Sequence, residues 1–137
     1  MKALATLLLI AAPLMAQAQS SVKWEENYAH AVKRAQTEKK MIMMDLWAEW
    51  CPPCQYLKTK VFPTPQAQAA LAKVVPLSVM VEYKDRKPIE EGVRLAKQFN
   101  LEAYPTLIIL DSNGKELRRQ VGAFPSGVEL AKWIESK

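Results

Sequence analysis

The stretch that most limits what this chain can become runs from Met41 to Lys60, MIMMDLWAEWCPPCQYLKTK. Met41, Ile42, Met43, Met44, Leu46 and Trp47 form a nearly continuous apolar run, the pattern of a central strand covered on both faces. After Trp50 the chain passes through Cys51-Pro52-Pro53-Cys54 into a segment with helical spacing. Asp45 interrupts the strand, and a carboxylate in a buried strand is expensive unless it is paired or put to use. Either Asp45 reaches the strand's end and water, or it serves the chemistry next to it.

Both cysteines of the chain lie in this stretch. If Cys51 opens a helix and Cys54 sits one turn in, they share a helix face and their sulfurs can bridge. Such a pair cycles between dithiol and disulfide. At the helix tip an accessible Cys51 feels the positive end of the dipole, which lowers its pKa, while Cys54 is shielded. Cys51 is then the attacking thiolate and Cys54 the residue that resolves the mixed disulfide. Pro52 and Pro53 have no N–H, so the helix start loses two donors that would otherwise face the Cys51 sulfur. No histidine lies between the cysteines either. A moderately stabilised thiolate is expected, and a pair that favours donating electrons.

The rest of the chain supplies the layers such a strand needs. Apolar residues at helical spacing predict helices over residues 25–38, 66–73, 89–99 and 126–136, and the helix after Cys51 is expected to run to about Thr59. Val22 to Trp24 is read as a short extended piece. Thr64 and Pro65 suit the cap and first turn of the second helical piece. Residues 74–81, 106–110 and 116–121 read as strands, the last two joined through Ser112-Asn113-Gly114-Lys115, where Asn-Gly favours a tight turn with positive φ at both residues. Helical crossovers join parallel strands and tight turns antiparallel ones, so the order predicts an α/β fold, with a mixed central sheet and helices on both faces. His30, the only histidine, neighbours the apolar side of the first helix and reads as a surface residue rather than a proton-transfer group.

Met1 to Ala18 differ from the remainder. Lys2 supplies a positive start, Ala3 to Ala12 is apolar apart from Thr6, and Ala16-Gln17-Ala18 has the small-x-small form of a cleavage site. The apolar reach ends short of the roughly 20 residues of a membrane-spanning helix. Residues 1–18 are therefore expected to be a cleaved signal peptide and residues 19–137 a single domain, exported to the periplasm. In an oxidising compartment two such thiols stay a disulfide unless something keeps reducing them, which implies an electron-exchange partner. The 137 residues carry 19 Lys+Arg against 14 Asp+Glu, a net charge of +5. That excess is dispersed along the chain, whereas nucleic-acid binding calls for a clustered basic face, so no nucleic-acid partner is expected.

The run Asp45-Leu46-Trp47-Ala48-Glu49-Trp50-Cys51-Pro52-Pro53-Cys54 resembles the active-site segment of the thioredoxin superfamily, with Pro52 where the commonest form has glycine. Tyr104-Pro105-Thr106 resembles that family's cis-proline segment, and Val121-Gly122-Ala123 the turn before its last helix. Val61-Phe62-Pro63-Thr64-Pro65-Gln66-Ala67-Gln68 is similar to a pattern of the C-terminal periplasmic domain of DsbD-type disulfide reductases. The resemblance implies a thioredoxin-like fold, with Cys51, Cys54 and Asp45 catalytic. Asp45 would accept the Cys54 proton directly or through a water. It also implies that Tyr104-Pro105 lies against the cysteines and exposes backbone for strand-like pairing with a substrate, although by spacing alone Pro105 is only a strand-edge proline. Trp50, Pro52 and Pro53 would complete the docking surface, while Trp47 reads as packing. Many thioredoxins carry a lysine on the middle strand where this chain has Ser78, so Asp45 is expected to lack a cationic neighbour.

The function expected is that of an exported monomeric thiol:disulfide oxidoreductase. It would pass electrons from a membrane donor protein to oxidised cysteine-containing proteins, with no cofactor beyond the Cys51–Cys54 disulfide and no metal. A net oxidase or isomerase of the same fold stands as the alternative. A carrier of a soft metal is the reading from a different class, weakened because two cysteines make an incomplete zinc site.

Overall fold

The computed structural model describes residues 22–137; the expected leader, residues 1–18, lies outside them. The central strand β1 (Ile42–Ala48) pairs in parallel with β2 (Val75–Glu82) and antiparallel with β3 (Thr106–Leu110), and β3 pairs antiparallel with β4 (Glu116–Val121). The sheet order is β2-β1-β3-β4, mixed as expected. Ahead of the first helix, Glu25 adds one bridge to the free edge of β2, its N–H donating to Pro76 O at 2.8 Å and its carbonyl accepting from Ser78 N. Edge position is also why Pro76 is tolerated within β2.

Alternation along β1 divides the core in two, since successive side chains of a strand point to opposite faces. Ile42, Met44 and Leu46 face α1 (Tyr28–Glu38) and α4 (Glu90–Gln98), packing with Ala31, Ala35, Leu95 and Phe99. Met43, with Leu107 and Ile109 of β3, faces α3 (Pro65–Leu71) and α5 (Gly127–Glu135), packing with Ala67, Ala70, Leu71, Leu130 and Ile134. Asp45 and Trp47 share the parity of Met43 and so fall on this second face. There α2 (Pro52–Tyr56) leads without a break into a π turn over Leu57–Val61, whose Leu57 and Val61 are buried.

Most boundaries agree with the sequence reading to within a few residues, and the differences have local causes. The first helix starts at Tyr28 rather than Glu25 because Asn27 is extended and caps it, its side chain accepting from His30 N at 3.0 Å, while Glu25 is committed to β2. The helix after the cysteines passes Thr59 because the wider turn carries it on, Phe62 N donating to Leu57 O at 2.8 Å. Thr64 caps α3 and Pro65 occupies its first turn, as expected. The β3–β4 turn is not the one expected: only Gly114 has a positive φ, 84°, and Asn113 does not. Asp111 organises the turn instead, its side chain accepting from Asn113 N and Lys115 N at 2.8 and 2.9 Å and its carbonyl from Gly114 N.

α4 approaches β2 closely through Gly92, where a Cβ would collide with the Met80 carbonyl and the Val81 backbone. Strand backbone cannot rotate away as a side chain can. Gly92→Ala is therefore expected to cost about 2 kcal/mol or more, the upper part of the range for overpacking. It should appear as a lower urea midpoint with an unchanged slope.

Candidate active site

The site is built where β1 ends. Ala48 closes the strand, its carbonyl accepts from Cys51 N at 3.2 Å, and Cys51 becomes the N-cap of α2 with φ −86° and ψ 111°. Pro52 and Pro53 fill the first two helical positions, where a missing N–H and a fixed φ are least costly. The first donor left is Cys54 N, and it points at Cys51 Sγ from 3.3 Å. Cys51 and Cys54 form a disulfide, with Cα atoms 5.3 Å apart.

The pair is more enclosed than the sequence suggested. Cys54 is fully buried, but Cys51, expected to be accessible, is itself only 2% exposed. Trp47, Trp50 and Tyr104 pack against the cysteines and Ala48 and account for the cover. Trp50 is held from three directions. Its Nε1 donates to Glu82 Oε2 at 2.7 Å, its ring meets Tyr104 edge-on with centroids 5.8 Å apart, and the Arg86 guanidinium lies 4.0 Å from its centroid. Burial, helped by the Glu82 carboxylate, pushes the Tyr104 phenol up to about 12, so it stays protonated at neutral pH. The Tyr104–Pro105 peptide is cis, and Pro105 O accepts from Gly122 N at 2.8 Å. The segment named from resemblance thus lies against the cysteines through Tyr104. Pro52 and Pro53 are exposed on the outer side of the helix tip.

Asp45 does not reach water at a strand end. It is 1% exposed, sits in mid-strand opposite Ser78 on β2 and Leu107 on β3, and neither carboxylate oxygen has a hydrogen-bond partner among the described residues. Burial pushes its pKa up to about 7, against a smaller downward pull from Lys58. The expectation that Asp45 lacks a cationic neighbour is corrected here. Ser78 does stand where the strand lysine was sought, but a cation arrives from the other layer, on the π turn. The Lys58 ammonium lies 3.1 Å from the centroid of the Trp47 ring, and Trp47 Nε1 in turn donates to Ser78 Oγ at 2.9 Å. Trp47 is therefore a bridge between layers as well as packing. His30 is exposed on α1, as expected.

Sequence reasoning missed Lys58, Glu82 and Arg86. Lys58 carried a usable signal, since it follows Cys54 by four residues and so lies on the same side of the helix. Glu82 and Arg86 stand 32 and 36 residues beyond Trp50, and no local pattern connects them. Among the described residues no cluster of three or more His, Cys, Asp or Glu is placed to hold a metal ion, and no helix is long and apolar enough to cross a membrane.

A mixed sheet between two helical layers, with a vicinal disulfide at the tip of the helix that follows the central strand, defines a thiol-disulfide exchange domain. The chain belongs to the thioredoxin-like domain family, which matches it over residues 28–137. It is similar to the thiol:disulfide interchange protein DsbD of Haemophilus ducreyi, at 30% identity over 96 residues that make up 69% of this chain and 16% of that one. The chain therefore spans only a small part of that relative's length. A thioredoxin from Thermus thermophilus has a similar structure, with a TM-score of 0.68 and 31% identity over 83% of this chain and 85% of that one. The oxidised C-terminal domain of DsbD from Neisseria meningitidis shares the fold, with a TM-score of 0.66 at 20% identity over 82% and 97% of the two chains.

The raised pKa of Asp45 makes stability depend on pH in a direction unusual for a carboxylate. Its folded-state value, about 7, lies above the ordinary 3.8, so its contribution is fully present below about pH 4 and is lost as pH rises through 7. Asp45→Asn cannot ionise. It is expected to be more stable than the parent at pH 8, by on the order of 2–4 kcal/mol relative to the difference at pH 4. Urea unfolding of the two oxidised proteins at both pH values measures this.

Proposed function

We propose that this chain is a protein-disulfide reductase of an exported, periplasmic compartment, made as a precursor with residues 1–18 as its cleaved leader. Cys51 is the nucleophile, Cys54 the resolving thiol and Asp45 the base that receives the Cys54 proton. The Cys51 thiolate attacks a substrate disulfide, forming a mixed disulfide and releasing one substrate sulfur as a thiolate. Cys54, deprotonated by Asp45, then attacks Cys51 Sγ. The Cys51–Cys54 bond forms, the Cys51–substrate bond breaks and the second substrate sulfur leaves, so two electrons have passed to the substrate. A separate membrane protein resupplies them.

The direction is supported by the helix tip. With prolines in the first two positions, Cys54 N is the one early helix donor aimed at Cys51 Sγ. A thiolate held by one such bond is less stabilised than in strong oxidants, and a less stabilised dithiol gives up its electrons more readily. Trp50 and Tyr104 frame the approach to the sulfurs, the backbone of Tyr104 ahead of the cis bond is offered to an extended substrate segment, and Pro52 and Pro53 stiffen the tip. The likeness to DsbD supports a periplasmic setting and oxidised protein cysteines as substrates.

Two measurements test this reading. Titrated in the reduced protein, Cys51 should ionise well above the ~3.5 of the strongest oxidants, nearer 7; a value below about 4 overturns the direction. The reduced protein should also catalyse insulin reduction, and Cys54→Ala expressed in the native compartment should hold partners on Cys51 as mixed disulfides. In single-turnover reactions Asp45→Asn should slow resolution by about tenfold or more near neutral pH and leave the first attack nearly unchanged, within the range of general base catalysis.

A further inference from the structure

Trp50 is braced from outside by a loop that takes no part in the sulfur chemistry itself. Tyr83, Lys84, Asp85, Arg86, Lys87 and Pro88 join β2 to α4, and all of them are exposed. Backbone bonds nevertheless close the loop, Tyr83 N donating to Lys87 O and Arg86 N to Tyr83 O, both at 2.9 Å. Lys84 N donates to Glu49 Oε2 at 2.8 Å, which ties the loop to the residue before Trp50. This closure holds Arg86 at φ 65°, in the left-handed region that a residue with a Cβ adopts infrequently. Where Arg86 starts is therefore fixed by the backbone.

From there its guanidinium reaches over the face of Trp50, with Cζ 4.0 Å from the ring centroid. The neighbouring charges are engaged. Lys87 is paired with Asp85 at 2.9 Å, and Glu82 accepts from Trp50 Nε1 at 2.7 Å. Arg86 forms no ion pair or side-chain hydrogen bond among the described residues, so the ring is its one partner there. A weakly hydrated guanidinium resting on a ring face keeps its N–H fork free, and that fork matches a carboxylate with two parallel bonds. The same indole packs against the cysteines and meets Tyr104 edge-on. An unpaired cation and the backbone offered to a substrate thus flank one ring.

We propose that Arg86 is a specificity-determining residue: held on Trp50 beside the sulfurs, it receives the carboxylate of an Asp or Glu within about three residues of the reactive cysteine in a partner protein. The inference rests on the docking at Tyr104 and the attack by Cys51 given under the proposed function. An extended segment advances about 3.3 Å per residue, so a few residues carry a side chain from the sulfur across the width of an indole. Charge then selects among side chains: an acidic one gains a bidentate partner, a neutral one gains contact alone, and a lysine is repelled. Arg86 acts on encounter and docking, and no bond is made or broken at it.

The test compares disulfide peptides that differ only in carrying Glu, Gln or Lys at positions near one cysteine, on either side of it. The rate constant for their reaction with the reduced protein is measured at low salt. At the best position Glu is expected to exceed Gln by about threefold to fivefold, the range of an exposed ion pair, and the preference should fade at about 1 M salt. Arg86→Gln should bring the Glu-to-Gln ratio to about one, Arg86→Glu should favour the Lys peptide, and Arg86→Lys, which keeps the charge but loses the fork, should retain part of the preference. Lys84→Gln, a neighbouring exposed charge, should leave it intact. A change in the fold or in Cys51 ionisation scales all peptides alike and cancels in the ratio. A parent ratio of one at every position, or a preference that survives in Arg86→Gln, overturns the proposal while the exchange role stands. A reduced parent that reacts with none of the peptides overturns the exchange role instead.

Discussion

A single buried carboxylate shapes the region around which this molecule is arranged. β1 is covered on both faces, so every side chain on it must find an apolar neighbour or a reason to be polar. Six of its seven residues comply. Asp45 lies in mid-strand with no hydrogen bond to either oxygen among the described residues, which disfavours its charge and raises its pKa to about 7. A carboxyl that changes charge near neutral pH in the core is poorly suited to holding a fold together.

The alternation of β1 carries that group to the reactive end. Because Asp45 and Trp47 share a parity, both project towards the layer that contains α2 and the π turn, while Ile42, Met44 and Leu46 pack against α1 and α4. A shift of one residue in the β1–β2 register would put Asp45 among the apolar side chains of the other layer, away from the cysteines. Parallel pairing with β2 also brings Ser78 beside Asp45 and Glu82 to the end of β1, where it fastens Trp50. The wall of the site and the place of the buried carboxylate are thus set by one strand pairing.

The helix tip is a compromise of another kind. Two prolines make a rigid start for α2 but remove the donors that a thiolate would use. Cover comes instead from aromatic rings: Trp50 braced by Glu82, Tyr104 and Arg86, and Trp47 bound to Ser78 and overlain by Lys58. These rings account for the enclosure of Cys51 in the disulfide form. They restrict approach to the sulfurs.

Much of the fold was legible in the residues because its signals are local. The apolar run of β1, the cap at Thr64, and the apolar spacing of the helices each reflect interactions within a few positions, and all four strands and all five helices fell close to their expected places. Where local signals compete, the reading slipped. Asn113-Gly114 suggested one turn, and the Asp111 side chain, by accepting two backbone N–H groups, selected another.

By itself, then, the sequence determined the cysteine pair, the helix that carries it, the oddly placed aspartate and the layer order, since these follow from periodicity and capping. Only the tertiary structure decided that Lys58 would lie over the Trp47 ring and that Glu82 and Arg86 would grip Trp50. Those pairings depend on which elements face each other across the sheet edge and on a one-turn widening of a helix. A pattern along the chain shows which side of an element is apolar, but not what packing will set opposite it.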